Sequence, residues 1–152
     1  MIMEKPKFVY ATYIIAPPEK VWEALTTPEF TRQYWFETDI ESDWKVGSKV
    51  IFRKGSEIWH DDTILRSEPP RVLSYTFRPL MKEEFRSEQP SRVLFEIEPV
   101  VCKDGRKGSR LTVTHDEFPA GSKVFPRVSE GWPELLSSLK SLLETGQAFD
   151  TV

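Results

Sequence analysis

His60 and His115 are the chain's two imidazoles, and Asp62 stands two residues after the first. Two histidines and a carboxylate are the donor set of a facial metal triad. The spacing argues against that use. No His-x-Glu or Cys-x-x-Cys pair accompanies them, and ligands spread over separate strands would need a coincidence of geometry. No metal and no cofactor is expected. His115 and Tyr75 have the right chemistry for general acid–base work. Cys102 is the one thiol, at a strand end, and reads as a small packing residue without a partnered base. No Ser–His–Asp signature is present, and Gly105-Arg106-Lys107-Gly108 reads as a hairpin turn, not a phosphate loop. No catalytic residue is assigned.

The second chemical resource is aromatic. Aromatic residues make up 12% of the chain, with five Trp among 152 residues. Large rings fill cores and also line apolar pockets. The candidate lining set is Trp35, Phe52, Phe77, Phe95, Phe118, Phe125, Trp132 and Leu136, with His60, Tyr75 and His115 as polar handles. The alternative is that these side chains only fill a core.

Elements must bring that set together. Phe8 to Ile15 is rich in aromatic and β-branched residues and predicts a strand. Two short helices follow, the first opening at Pro18 or Glu19, the second running from Thr27-Pro28 to Tyr34. Further strands are expected at Phe36 to Glu41, Lys49 to Arg53, Glu57 to Ser67, Arg71 to Arg78, Ser91 to Val100 and Ser109 to Glu117. Asp104-Gly105 marks the turn of the last hairpin. Pro79 to Pro90 reads as a flexible loop whose charged stretch, Lys82 to Glu88, is either a solvated edge or a short helix over a cavity mouth.

Alternation sends Leu73, Tyr75 and Phe77 to one face, with Val93, Phe95 and Ile97, and Leu111, Val113 and His115, on matching faces. The same rule puts Ile58, His60, Asp62 and Ile64 inward and leaves Trp59 and Leu65 outside, so a bulge or a covered outer face is expected there. From Phe125 onward the apolar spacing turns to threes and fours, predicting a long amphipathic helix from about Lys123 to Thr145. Ser122 suits its N-cap and Gly146 its C-cap, and Pro133 predicts a kink or a fresh start near Glu130-Gly131.

Composition excludes several functions. The length suits one domain, 1–152. Net charge is −3, so no basic excess exists to neutralise phosphates, and nucleic acid is not an expected partner. No apolar run is long enough to span a bilayer, and the first seven residues carry no leader-like apolar stretch. A lone cysteine fits a cytoplasmic setting. The expected class is α+β: a curved antiparallel sheet of six to seven strands wrapped around a long C-terminal helix, with two short helices after the first strand.

Four stretches in this order resemble the START-like (SRPBCC) superfamily, whose architecture is the helix-grip fold. They are Ala16 to Glu29, Pro69 to Phe77, Gly108 to His115, and Gly131-Trp132 with Leu135, Leu136, Leu139 and the ending Leu143 to Gly146. Within that superfamily the chain is most similar to the heat-shock-protein ATPase activator homology family. Two positions depart from its pattern. Asp62 replaces the glycine usual two residues before the fourth strand's Val or Ile, here Ile64, and Pro133 follows Gly-Trp directly. Both fall where such proteins shape their cavity.

The resemblance implies a cavity between sheet and helix that takes a small hydrophobic molecule, such as a lipid or a polyketide-like aromatic metabolite, without catalysis. A second implied role is interaction with a heat-shock ATPase chaperone. A third is a cyclase- or aromatase-like reaction using His115 or Tyr75. Exposed Trp44 or Trp59 would favour a homodimer.

Overall fold

The computed structural model describes residues 5–149. Strand β1 (Phe8–Ile14) leads into α1 (Pro18–Thr26) and α2 (Pro28–Tyr34), each opening on a proline whose missing N–H has no helical partner to lose. Then come β2 (Asp39–Glu41), β3 (Lys49–Lys54), β4 (Glu57–Glu68) and β5 (Val72–Phe77). A short helix α3 (Glu83–Arg86) precedes β6 (Ser91–Val101), β7 (Lys107–Asp116) and the long α4 (Val124–Thr145).

The strands form one curved antiparallel sheet of seven, in the order β1-β7-β6-β5-β4-β3-β2. Consecutive strands pair from β2 to β7, with α3 lying in the longer β5–β6 connection, and only β1 reaches across to pair with β7. In register, Tyr75 faces Val93 and Phe95 faces Val113, so the inward residues of β5, β6 and β7 form continuous rows. The apolar stripe of α4 (Val128, Trp132, Leu135, Leu136, Leu139 and Leu142) is buried against those rows. Lys140 Nζ donates to the Tyr13 carbonyl at 2.6 Å and Ile15 N donates to Glu144 at 2.8 Å, tying the far end of α4 to β1.

Several local expectations need correction. Phe36 and Glu37 have φ of 51° and 58°, which no strand accommodates, so the strand expected from Phe36 begins at Asp39. On β4 the register passes from Arg53↔Ile58 to Phe52↔His60, which leaves Trp59 as an extra residue. Ile58 therefore shares the outward face of Arg53 and is exposed, against the inward place expected for it. A second irregularity, from Ile64↔Tyr75 to Arg66↔Ser74, leaves Leu65 as the extra residue. Both residues that alternation left uncomfortable are thus bulges.

The charged stretch before β6 takes the short-helix form, with Phe85 buried beneath it. Helix α4 runs unbroken through Pro133, so there is no fresh start at Glu130-Gly131. A mid-helix proline costs about 3 kcal/mol. Burial of Trp132 and Leu136 beside it contributes about 1.5–3 kcal/mol each, enough to hold the helix together.

The N-cap of α4 is Lys123, one residue later than expected, and its own side chain caps nothing. Ser122 Oγ still accepts from the backbone N–H groups of Val124 and Phe125, both at 3.1 Å. At the other end Gly146, with φ of 85°, donates its N–H to Leu142 O at 2.9 Å, the left-handed cap that glycine permits.

Candidate binding cleft

The inward rings fill most of the space between sheet and helix, but the filling stops short at one end. There the N-terminal half of α4 stands away from α3, the β3–β4 hairpin and the turn after α2, leaving a cleft of about 440 Å³. That volume is within the range of small-molecule pockets. Its walls are aromatic: Trp35, Trp59, Phe77, Phe85 and Trp132. Lys82, Arg127, Glu130 and Glu134 also contribute to the lining. A second hollow of about 350 Å³ shares Phe36, Trp59, Glu134 and Leu135 with it.

Each wall is held by its own element. Thr38 Oγ1 donates to the Trp35 carbonyl at 2.6 Å and Thr31 Oγ1 donates to the Thr38 carbonyl at 2.9 Å, which fixes the turn carrying Trp35. The bulge at Trp59 aims its ring toward the cleft, where Lys54 Nζ lies 5.0 Å from the ring centroid and the Phe36 ring 6.4 Å away. Trp132 meets Trp35 edge-on at 5.7 Å. Its indole N–H donates to His115 Nδ1 at 3.0 Å.

Glu88 closes the frame. Its carboxylate accepts from the backbone N–H groups of Lys123 and Val124 and from Ser122 Oγ. A carboxylate at a helix N-terminus is favoured by both the free N–H groups and the helix dipole. This contact ties the segment carrying α3 to the first turn of α4.

Gly131 stands in the middle of α4 and lines the cleft. A Cβ added there would meet nothing within 4 Å, and its φ is negative, so neither packing nor backbone conformation requires glycine. Mid-helix glycine costs about 1 kcal/mol relative to alanine. Its missing side chain leaves that stretch of the cleft wall bare.

The sequence-expected residues divide into three groups. Trp35, His60, Phe77 and Trp132 line the cleft. Phe52, Tyr75, Phe95, Phe118 and Leu136 have 0% exposure and pack in the core behind it. Phe125 is half-buried, with its ring 5.1 Å from Phe118, and is not among the lining residues.

His115 is also fully buried, and both its nitrogens are engaged. Nδ1 accepts from Trp132, so Nε2 bears the proton and donates to Ser91 Oγ at 2.7 Å, whose own hydrogen goes to the Phe77 carbonyl at 3.0 Å. Burial pushes the His115 imidazole down to about 3, with Asp116 opposing and His60 adding to the shift. Burial likewise raises the Tyr75 phenol well above its usual range, followed by the effects of Tyr34 and Asp62. The Tyr75 hydroxyl has no hydrogen-bond partner among the described residues. Neither residue lines the cleft, so neither is within reach of a molecule held there.

Trp59, Phe85 and Gly131 were absent from the sequence-expected set. Phe85 had one signal, a lone aromatic ring in a charged segment. Gly131 had another, a glycine interrupting an amphipathic helix. Trp44 and Trp59 are half-buried, packed against the core. Among the described residues no group of three His, Cys, Asp or Glu side chains is placed to hold a metal ion, and no helix is long and apolar enough to cross a membrane.

Solved structures share this architecture. A Mesorhizobium loti protein is 25% identical, with a TM-score of 0.73 over 91% of this chain and 97% of its own. The Aha1 dimer from Colwellia psychrerythraea is 24% identical, with a TM-score of 0.72 over 94% of this chain and 99% of its own. An HSP90 activator from Plasmodium falciparum is 21% identical, with a TM-score of 0.70 over 90% and 95%. No curated protein matches the chain in sequence. The family model described as Activator of Hsp90 ATPase homolog 1-like protein matches residues 15–144, and the chain belongs to that family.

Proposed function

We propose that this protein binds a small, flat, apolar molecule in the cleft between α4, α3 and the β3–β4 hairpin. The observation that supports this most is Gly131. A mid-helix glycine with open space where its side chain would be is a standing cost to stability, and it keeps an aromatic-walled hollow open. Removing apolar area from water would supply about 25 cal/mol per Å² to such a ligand.

Titration with 1-anilinonaphthalene-8-sulfonate tests the reading. Three of the chain's five tryptophans, Trp35, Trp59 and Trp132, line the cleft and would pass excitation to the bound dye. The expected result is a single saturable site, with tryptophan emission falling as dye emission rises. A signal that never saturates, or none at all, would remove the proposal.

A second reading is interaction with a heat-shock ATPase chaperone, supported by the family description and by the Plasmodium falciparum neighbour. A change in the ATPase rate of Hsp90 on titration with this protein tests it, and an unchanged rate with no complex on sizing opposes it. The dimeric Colwellia neighbour supports self-association as part of that role, and the free Cys102 supports a cytoplasmic setting.

A further inference from the structure

Asp62 places a carboxylate on the inward phase of β4, 3% exposed, beside aromatic rings. Burying such a group is costly unless donors meet it. Three do. Thr76 Oγ1 donates to Oδ1 at 2.9 Å, while Arg78 N at 3.4 Å and His60 Nδ1 at 3.2 Å reach Oδ2. Thr76 Oγ1 itself accepts from Thr63 N at 3.0 Å, which directs its hydrogen to Asp62.

A carboxylate accepts and does not donate, so His60 Nδ1 is the protonated nitrogen. In a neutral imidazole the other nitrogen is then an acceptor. Among the described residues, His60 Nε2 has no hydrogen-bond partner. The ring is 4% exposed, lies between Phe77 at 4.4 Å and Phe52 at 5.2 Å, and is part of the cleft lining. The cleft thus combines aromatic walls with one acceptor, on a side chain otherwise buried, that the protein itself leaves unpartnered.

Resting on the cleft as a site for flat apolar molecules, we infer that its occupant is an aromatic compound bearing a phenolic hydroxyl, which donates to His60 Nε2 while Asp62 holds the imidazole in the accepting tautomer. The hydroxyl supplies orientation and selectivity, and the rings supply most of the affinity. Asp62 acts through His60 and is a positioning residue.

Paired titrations with 2-naphthol and 2-methoxynaphthalene test this. The methoxy compound is the more apolar of the two and lacks the donor. The wild-type protein should bind both and favour 2-naphthol by about tenfold or more, because the methoxy compound covers the Nε2 acceptor and displaces its water without giving it a donor. His60→Phe keeps a ring against Phe77 and Phe52 and should bind the two alike. Asp62→Asn can present either an oxygen or an NH2 to Nδ1, so it should shrink the preference. Equal affinities in the wild-type protein, or an undiminished preference in His60→Phe, would overturn the inference while leaving the cleft reading standing. Binding of neither compound overturns both. Should His60→Phe fail to fold, the wild-type ratio decides alone.

Discussion

The indole N–H of Trp132 donates to His115 Nδ1 at 3.0 Å, joining the middle of α4 to the inner face of β7. The bond fixes the Trp132 ring as a cleft wall, and it works only while Nδ1 is unprotonated. A proton arriving there would set two donors against each other and bury a charge.

Acid should therefore weaken the protein through His115. Its folded value, about 3, is below the ordinary histidine range near 6.5, so the unfolded chain binds the proton more readily. The stabilisation is complete above about pH 6.5 and is lost as pH falls toward 3. From pH 7 to 5 the expected loss is about 2 kcal/mol, seen in urea unfolding. An NMR titration of the His115 ring checks the cause. It should show no protonation midpoint above pH 5 in the folded protein, and a midpoint near 6.5 would contradict the account.

Tyr75 offers a test of opposite sign. Its hydroxyl is buried without a partner among the described residues, and an unmet buried hydroxyl costs about 1–3 kcal/mol. Tyr75→Phe should therefore be neutral or stabilise by about 1 kcal/mol in chemical denaturation. A loss of that size instead would show that the hydroxyl has a water or ligand partner.

The inner faces of β5, β6 and β7 were readable from alternation because no residue interrupts their period. Leu73, Tyr75, Phe77, Val93, Phe95, Ile97, Leu111, Val113 and His115 are all buried where the pattern put them. The periodicity of α4 was equally plain. β4 was not, because an extra residue reverses the face without changing the local spacing. Alternation could say that Trp59 sat badly, but not that a bulge would turn it into a cleft wall. The filled and open parts of the interior were also indistinguishable. Phe95 and Trp35 are the same kind of residue in sequence, yet Phe95 is fully buried in the core and Trp35 lines the cleft.

Glu88 is half-buried, and it should matter beyond its place in a charged loop. Glu88→Ala removes the acceptor for two N–H groups at the start of α4 and should cost about 1 kcal/mol. Amide hydrogen exchange across residues 79–90 should rise in the same variant, because the segment loses its tie to the helix. Unchanged exchange would show that the burial of Phe85 and the Leu80 N–H bond to the Trp59 carbonyl hold the segment without Glu88.

Gly131→Leu brings the central claim to one measurement. The side chain would enter open space on the cleft wall, and leucine gains about 0.8 kcal/mol over glycine in helix propensity. The variant should melt at the wild-type temperature or above, yet lose saturable 1-anilinonaphthalene-8-sulfonate binding. A folded, equally stable Gly131→Leu protein that binds the dye as the wild type does would show that the cleft is not the site.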